Sequence, residues 1–162
     1  MKKAAEILTD RQLFQIAQSK VTVSTVAPNP ESFMLFDDAP CVLAWSVHAA
    51  TDELRKKLVP TTKYTMSELR EGLIRALLKK PKSLQTTMLE YVLINEVNDS
   101  EDDAEAMAQF AKGIIDAVPG SKVMINLIMF NDIGEISLLT NTDFLDFLNE
   151  FILLCYRTSH LY

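Results

Sequence analysis

Four runs of apolar, β-branched residues recur along the chain, at 21–26, 41–47, 87–94 and 122–130. Each is nearly continuous rather than alternating, the pattern of strands buried on both faces of a parallel sheet. Between the later runs the period changes. Thr65 forms a capping box with Glu68, apolar residues at Leu69, Leu73, Leu77 and Leu78 then mark one helix face, and Pro81 closes the helix. A second box, Ser100 with Asp103, opens a helix whose Met107, Phe110, Ala111, Ile114 and Ile115 follow the i, i+3, i+4, i+7, i+8 spacing up to Pro119-Gly120. Strand and helix therefore alternate. The fold class is α/β, a parallel sheet with alternating helices and right-handed crossovers, either an open doubly wound sheet or part of a barrel. Residues 1–20 predict a short helix, and 143–156 a helix running into a last strand. The longest connection, 49–64, is basic, holds Pro60 and is the best candidate for a functional loop.

With 162 residues and 48% hydrophobic side chains, the chain encloses one core, a single domain over 1–162. Its first residues contain neither the apolar stretch of a signal peptide nor a membrane-spanning run, so an intracellular protein is expected. Cys41 and Cys155 lie in apolar stretches with no short spacing between them, which argues for reduced thiols and against a zinc site. The net charge of −6 opposes a protein that grips nucleic acid over its whole surface. Distribution changes that picture: residues 53–82 hold nine basic and three acidic side chains, and 96–150 hold twelve acidic against Lys112 and Lys122. The two stretches are read either as solvated faces or, for the basic one, as a patch facing RNA.

Ligands of parallel α/β folds bind beyond the carboxyl ends of the strands. Polar residues gather at those ends here: Ser24 in the first run, Ser46 and His48 closing the second, Asn95 and Asn98 after Ile94, and Asn131 after Phe130. Hydroxyl, imidazole and amide groups along one rim suit the ribose and amino-acid moieties of a small polar cofactor. Each also has a plainer reading, as turn, helix cap or structural histidine. Glu90 and Asn126 sit inside strands where an unpaired polar group is costly, and contacts inside a barrel account for them best. Met124 and Met129 read as core filler. Only four glycines occur, none in a phosphate-loop spacing, which disfavours the common dinucleotide and nucleoside-triphosphate sites.

The segments VTVSTVAP (21–28), AWSVHAATDELRKKLVP (44–60), LEYVLINEVNDSEDDAEAMAQF (89–110) and KVMINLIMFNDIG (122–134) resemble, in order and spacing, the radical S-adenosylmethionine (radical-SAM) methyltransferases of large-subunit rRNA adenine. The resemblance covers about residues 4–134, and Ser46-Val47-His48-Ala49 followed by the DELRKKLVP stretch is its most specific part. It implies the later part of a partial (βα)6, TIM-like barrel. It also implies contacts to S-adenosylmethionine from Ser24, from the Ser46-Val47-His48 tripeptide and from Asn131, the same strand-end residues picked out by chemistry alone. The implied reaction is methylation of adenine at carbon 2 in rRNA, in some members also in tRNA, by a cytoplasmic or organellar enzyme.

The departures matter equally. The family's CxxxCxxC motif, which holds a four-iron four-sulfur cluster, does not occur here, and the glycine-glutamate pair that holds the cofactor's amino group, expected upstream of residue 21, is absent there. LLCYRT (153–158) resembles the final strand ahead of the family's methyl-carrying cysteine, so Cys155 is not read as that cysteine. The chain is expected to be a truncated core, without the cluster-binding part and the catalytic tail, and inactive alone. The alternatives are a non-catalytic nucleoside- or RNA-binding α/β module and an unrelated scaffold. A cut barrel also predicts self-association through the exposed edge at 21–26.

Overall fold

The computed structural model describes residues 1–130. Four strands, β1 (Thr22–Thr25), β2 (Val42–Ser46), β3 (Thr86–Leu93) and β4 (Lys122–Met129), form one sheet in the order β1-β2-β3-β4, each parallel to its neighbours. Five α-helices accompany them: α1 (Lys2–Thr9), α2 (Glu31–Met34), α3 (Asp52–Leu58), α4 (Met66–Lys79) and α5 (Glu101–Ala117). Strand order follows chain order, so right-handed crossovers place the connecting helices on one face of the sheet. Both expected capping boxes are present, Thr65 with Glu68 at α4 and Ser100 with Asp103 at α5. The 49–64 connection is not a bare loop, because Thr51 caps α3 within it by accepting a hydrogen bond from the Leu54 N–H.

Side chains alternate across the strands, and the two faces meet different surroundings. Val23, Leu43, Trp45, Leu89, Tyr91 and Leu93 point into the helix layer, where they join Phe33, Leu69, Leu73, Met107 and Ile114 in one core. Trp45 sits at its centre, with Phe33 and Phe110 edge-on at 5.4 and 5.6 Å between ring centroids. The opposite face carries Ser24, Ser46, Glu90 and Asn126, all half-buried or exposed.

Val42 and Ala44 of β2 are buried on that face as well, so burial on both faces holds for β2 and is corrected for β1, β3 and β4. Continuous apolar runs do not tell a sheet covered twice from one whose second face is the wall of a partial barrel. Met124, on the open face, is 45% exposed, and Met129, at the end of β4, is 40% exposed, so neither is core filler. Leu78 and Ile115 are also exposed, each a 100° step past the stripe that packs inward. In β1 the Val23 side chain is buried among the helices, so the outer side of that edge offers backbone groups and the side chains of Thr22 and Ser24.

Two helical glycines carry opposite expectations. A Cβ on Gly72 of α4 would lie 2.6 Å from the Pro30 carbonyl oxygen and 2.8 Å from the Pro30 Cβ, rigid atoms at the head of α2. Gly72→Ala should therefore destabilise the fold by about 1–3 kcal/mol through overpacking. At Gly113 of α5 an added methyl would meet the Arg70 guanidinium at 2.7 Å, the end of a flexible side chain that can give way. Gly113→Ala should be neutral, or stabilise by up to roughly 1 kcal/mol through helix propensity. Urea denaturation of both variants checks the pair; a Gly72→Ala protein as stable as its parent would contradict the close α2–α4 approach.

Candidate functional site

Parallel pairing sets Ser46 opposite Glu90, and Glu90 opposite Asn126, in one row across β2, β3 and β4. Ser24 of β1 lies one pleat earlier, in register with Ala44, on the same face. The Glu90 carboxylate bridges the offset. Its Oε2 accepts hydrogen bonds from Ser24 Oγ at 2.5 Å and Ser46 Oγ at 2.8 Å, and the two hydroxyl oxygens are 3.4 Å apart. Three strands thus contribute one oxygen cluster near the carboxyl end of the sheet.

His48 follows β2 with φ +55°, a left-handed backbone that costs a non-glycine residue about 1–3 kcal/mol and that surrounding contacts have to hold. Those contacts are present. Its N–H donates to the Glu90 carbonyl at 3.3 Å, and its carbonyl accepts from Asn98 Nδ2 at 2.9 Å. The same Asn98 amide donates to the Val92 carbonyl at 2.8 Å, while Asn98 Oδ1 accepts from the Ile94 N–H at 2.7 Å. On the ring, Nδ1 accepts from the Val92 N–H at 3.2 Å. An acceptor at Nδ1 means a neutral imidazole with its proton on Nε2, so the ring offers a donor. Burial is the main force pushing the His48 pKa down, the nearby Arg55 charge adds to it, and Glu90 opposes both.

Arg55 of α3 anchors the strand exits from below. Its side chain is 1% exposed and its Nη1 donates to the Ser46 carbonyl at 2.7 Å and to the Val47 carbonyl. Nη2 donates to the Val26 carbonyl beyond β1 at 2.5 Å, and the guanidinium carbon lies 5.7 Å from the Trp45 ring centroid. Burial lowers its pKa to about 10, which leaves it charged at neutral pH. Carbonyls that the ladder leaves free at the ends of β1 and β2 are thereby satisfied inside the protein.

Of the residues expected to hold a cofactor, Ser24, Ser46 and His48 come together at the exits of β1 and β2, whereas the Val47 side chain is buried in the hydrophobic core. Asn131 and Cys155 lie outside the described residues. Asn98, expected on the rim, is instead fully buried as the clasp between His48 and β3. Lys79 and Lys80 sit toward the other end of the sheet, Lys79 paired with Asp37 at 2.9 Å and Lys80 donating to the Ala39 carbonyl ahead of β2. Sequence reading missed the anchoring role of Arg55, which it counted among the basic residues, and noted Glu90 only as a polar group in need of a partner.

A scan against protein-family models finds no match. Named proteins do match. Over 129 residues, 79% of the chain, it is 39% identical to the "Dual-specificity RNA methyltransferase RlmN" of Phenylobacterium zucineum. The protein of the same name from Dinoroseobacter shibae is 35% identical over 82% of the chain. The chain spans about a third of the length of these relatives, 31% and 32%. A solved radical SAM methyltransferase from Sphaerobacter thermophilus superposes with a TM-score of 0.70 at 26% identity, over 93% of this chain and 41% of that one. The chain belongs to the radical-SAM RNA methyltransferase family. Its four parallel strands are part of the radical-SAM methyltransferase barrel, with the Ser24–Ser46–Glu90 cluster on the face away from the helices.

The family implies a four-iron four-sulfur cluster, and the described residues of this chain do not fit one. No group of three or more His, Cys, Asp or Glu side chains converges among them. Cys41 is buried, with its thiol pKa pushed up by burial, the opposite of a ready thiolate ligand.

The His48 geometry has a pH consequence. Its folded pKa lies below the ordinary value, so between the two values the unfolded chain binds more protons. Stability therefore falls as pH drops below about 6.5 and through the depressed folded value. Nitrogen-15 spectroscopy of the imidazole should find the Nε2–H tautomer and a midpoint below 6.5, and Asn98→Ala should release both. A ring protonated at Nδ1 when neutral, or a midpoint above 6.5, would contradict the clasp.

Proposed function

We propose that this chain is the cofactor-positioning part of a radical-SAM methyltransferase acting on carbon 2 of adenine in large-subunit rRNA, with tRNA as a second substrate of the intact enzyme. Ser24, Ser46, Val47, His48 and Asn131 hold S-adenosylmethionine in this reading. The observation that carries it is the convergence of the Ser24 and Ser46 hydroxyls, together with a neutral imidazole donor, on one strand-end rim. The oxygen cluster and the imidazole donor fit a small ligand rich in hydroxyl and polar groups. S-adenosylmethionine brings the methyl group and the radical chemistry. The chain's own residues bind and orient it, and no catalytic residue is assigned among them. The four-iron four-sulfur cluster belongs to the intact enzyme, whose setting is the cytoplasm or an organelle matrix, where its RNA resides.

The competing reading, an RNA-binding module working through the basic 53–82 stretch, has less support. Arg55 and Lys80 are buried, Lys57 and Lys79 pair with Glu53 and Asp37, Arg75 faces Glu31 at 3.8 Å, Arg70 lies over Phe110, and Lys82 reaches the Pro119 carbonyl. Association of two chains through the outer side of β1 is part of the same proposal. No helix among the described residues is long and apolar enough to cross a membrane.

Equilibrium dialysis of the chain against labelled S-adenosylmethionine tests the site. Saturable binding is expected, weakened roughly tenfold by Ser24→Ala with Ser46→Ala, on the scale of about 1.4 kcal/mol for hydrogen bonds lost to the ligand. Absence of saturable binding, or a double variant that binds as well as its parent, would contradict it.

A further inference from the structure

Glu90 is the residue on which the two serines depend, and neither its chemistry nor its position is accounted for by a purely structural role. It lies in β3 between Leu89 and Tyr91, both buried in the core, and its own side chain emerges half-buried on the opposite face. Both serine hydroxyls donate to the same oxygen, Oε2, whereas Oε1 has no hydrogen-bond partner among the described residues. Each hydroxyl has one proton, and both protons are directed at Glu90. What the cluster offers outward is therefore acceptors only: the lone pairs of Ser24 Oγ and Ser46 Oγ, and the free Oε1 of a carboxylate. A ligand group resting here must bring donors.

Two donor groups occur on S-adenosylmethionine beside its adenine, the vicinal 2′,3′-hydroxyls of the ribose and the α-ammonium. The cluster is an array of three oxygens within 3.4 Å of one another, spread over adjacent strands. Neighbouring hydroxyls that each donate once match several acceptors side by side, and a bond from a hydroxyl to a carboxylate is charge-assisted. An ammonium is a single point needing acceptors all around it, and here they lie to one side. Resting on the cofactor reading above, we propose that Glu90 is a further cofactor-binding residue, which accepts a hydrogen bond from the ribose diol through Oε1 while Oε2 fixes the Ser24 and Ser46 hydroxyls as acceptors toward the same sugar.

The test is a cycle that pairs changes in the protein with changes in the ligand. Binding of S-adenosylmethionine, its 2′-deoxy and 3′-deoxy analogues, and 5′-methylthioadenosine, which keeps the ribose but lacks the ammonium, is measured by calorimetry on the parent chain and on Glu90→Gln. Thermal melts confirm that the variant folds, and Glu90→Asp serves as a second variant retaining the charge. The parent should lose about tenfold or more in affinity when the engaged ribose hydroxyl is removed. Glu90→Gln should weaken S-adenosylmethionine and 5′-methylthioadenosine by a similar factor and lose most of its discrimination against the deoxy analogue, with Glu90→Asp between the two. If the parent binds but Glu90→Gln still discriminates fully against the deoxy ligand, the inference fails and the cofactor reading stands. If Glu90→Gln weakens only the ligand with the ammonium, the carboxylate serves that group and the inference is overturned. A parent chain that binds none of the four ligands overturns the cofactor reading and the inference with it.

Discussion

Where parallel strands leave a sheet, their last carbonyls have no ladder partner, and in this chain that constraint is met by Arg55 and Asn98. The Arg55 guanidinium takes up the Val26, Ser46 and Val47 carbonyls at the exits of β1 and β2. Asn98 takes up the His48 and Val92 carbonyls and returns its own oxygen to the Ile94 N–H. Both side chains are buried, so each bond is made away from water and a missing partner would be costly. Because the exits are held from within, the chain can turn sharply there, with left-handed residues at Ala27, His48 and Glu96 after β1, β2 and β3. The polar side chains on the outer face are then free to serve a ligand.

From that frame the site follows. Core packing of Trp45, Leu89 and Tyr91 on the helix side forces Ser46 and Glu90 to the other side, since neighbours in a strand point to opposite faces. Parallel register brings Ser46 beside Glu90, and the offset of β1 delivers Ser24 to the same carboxylate oxygen. His48, clasped at its carbonyl and at Nδ1, presents Nε2–H alongside. A donor ring and an acceptor cluster at one rim are a small recognition surface built with no glycine-rich loop.

Much of this was legible in the sequence. The four strands, the two capping boxes and the gathering of Ser24, Ser46 and His48 all follow from local pattern and from where polar residues fall relative to strand ends. Which strands are buried on both faces did not follow, because apolar β-branched residues suit a helix-covered face and a partial-barrel wall alike, and of the four only β2 is covered twice. Arg55 was unreadable for another reason: a charged residue in a basic run looks solvated, and only the folded chain brings three carbonyls to it. Asn98 is four residues from Ile94 but fifty from His48, so its clasp depends on a contact that no local window contains. Glu90 was visible as an anomaly, a carboxylate inside an apolar strand, and its partners came only with the register.

The central claim is that the strand exits of β1 to β3, and not the basic helical face, receive the cofactor. Chemical-shift mapping of backbone amides during titration with S-adenosylmethionine addresses it most directly. The account predicts shifts concentrated at residues 24–27, 46–49 and 90–95, with Lys56, Lys63, Lys79 and Lys80 unmoved. Shifts centred on the lysines of α3 and α4, with the strand exits silent, would contradict it.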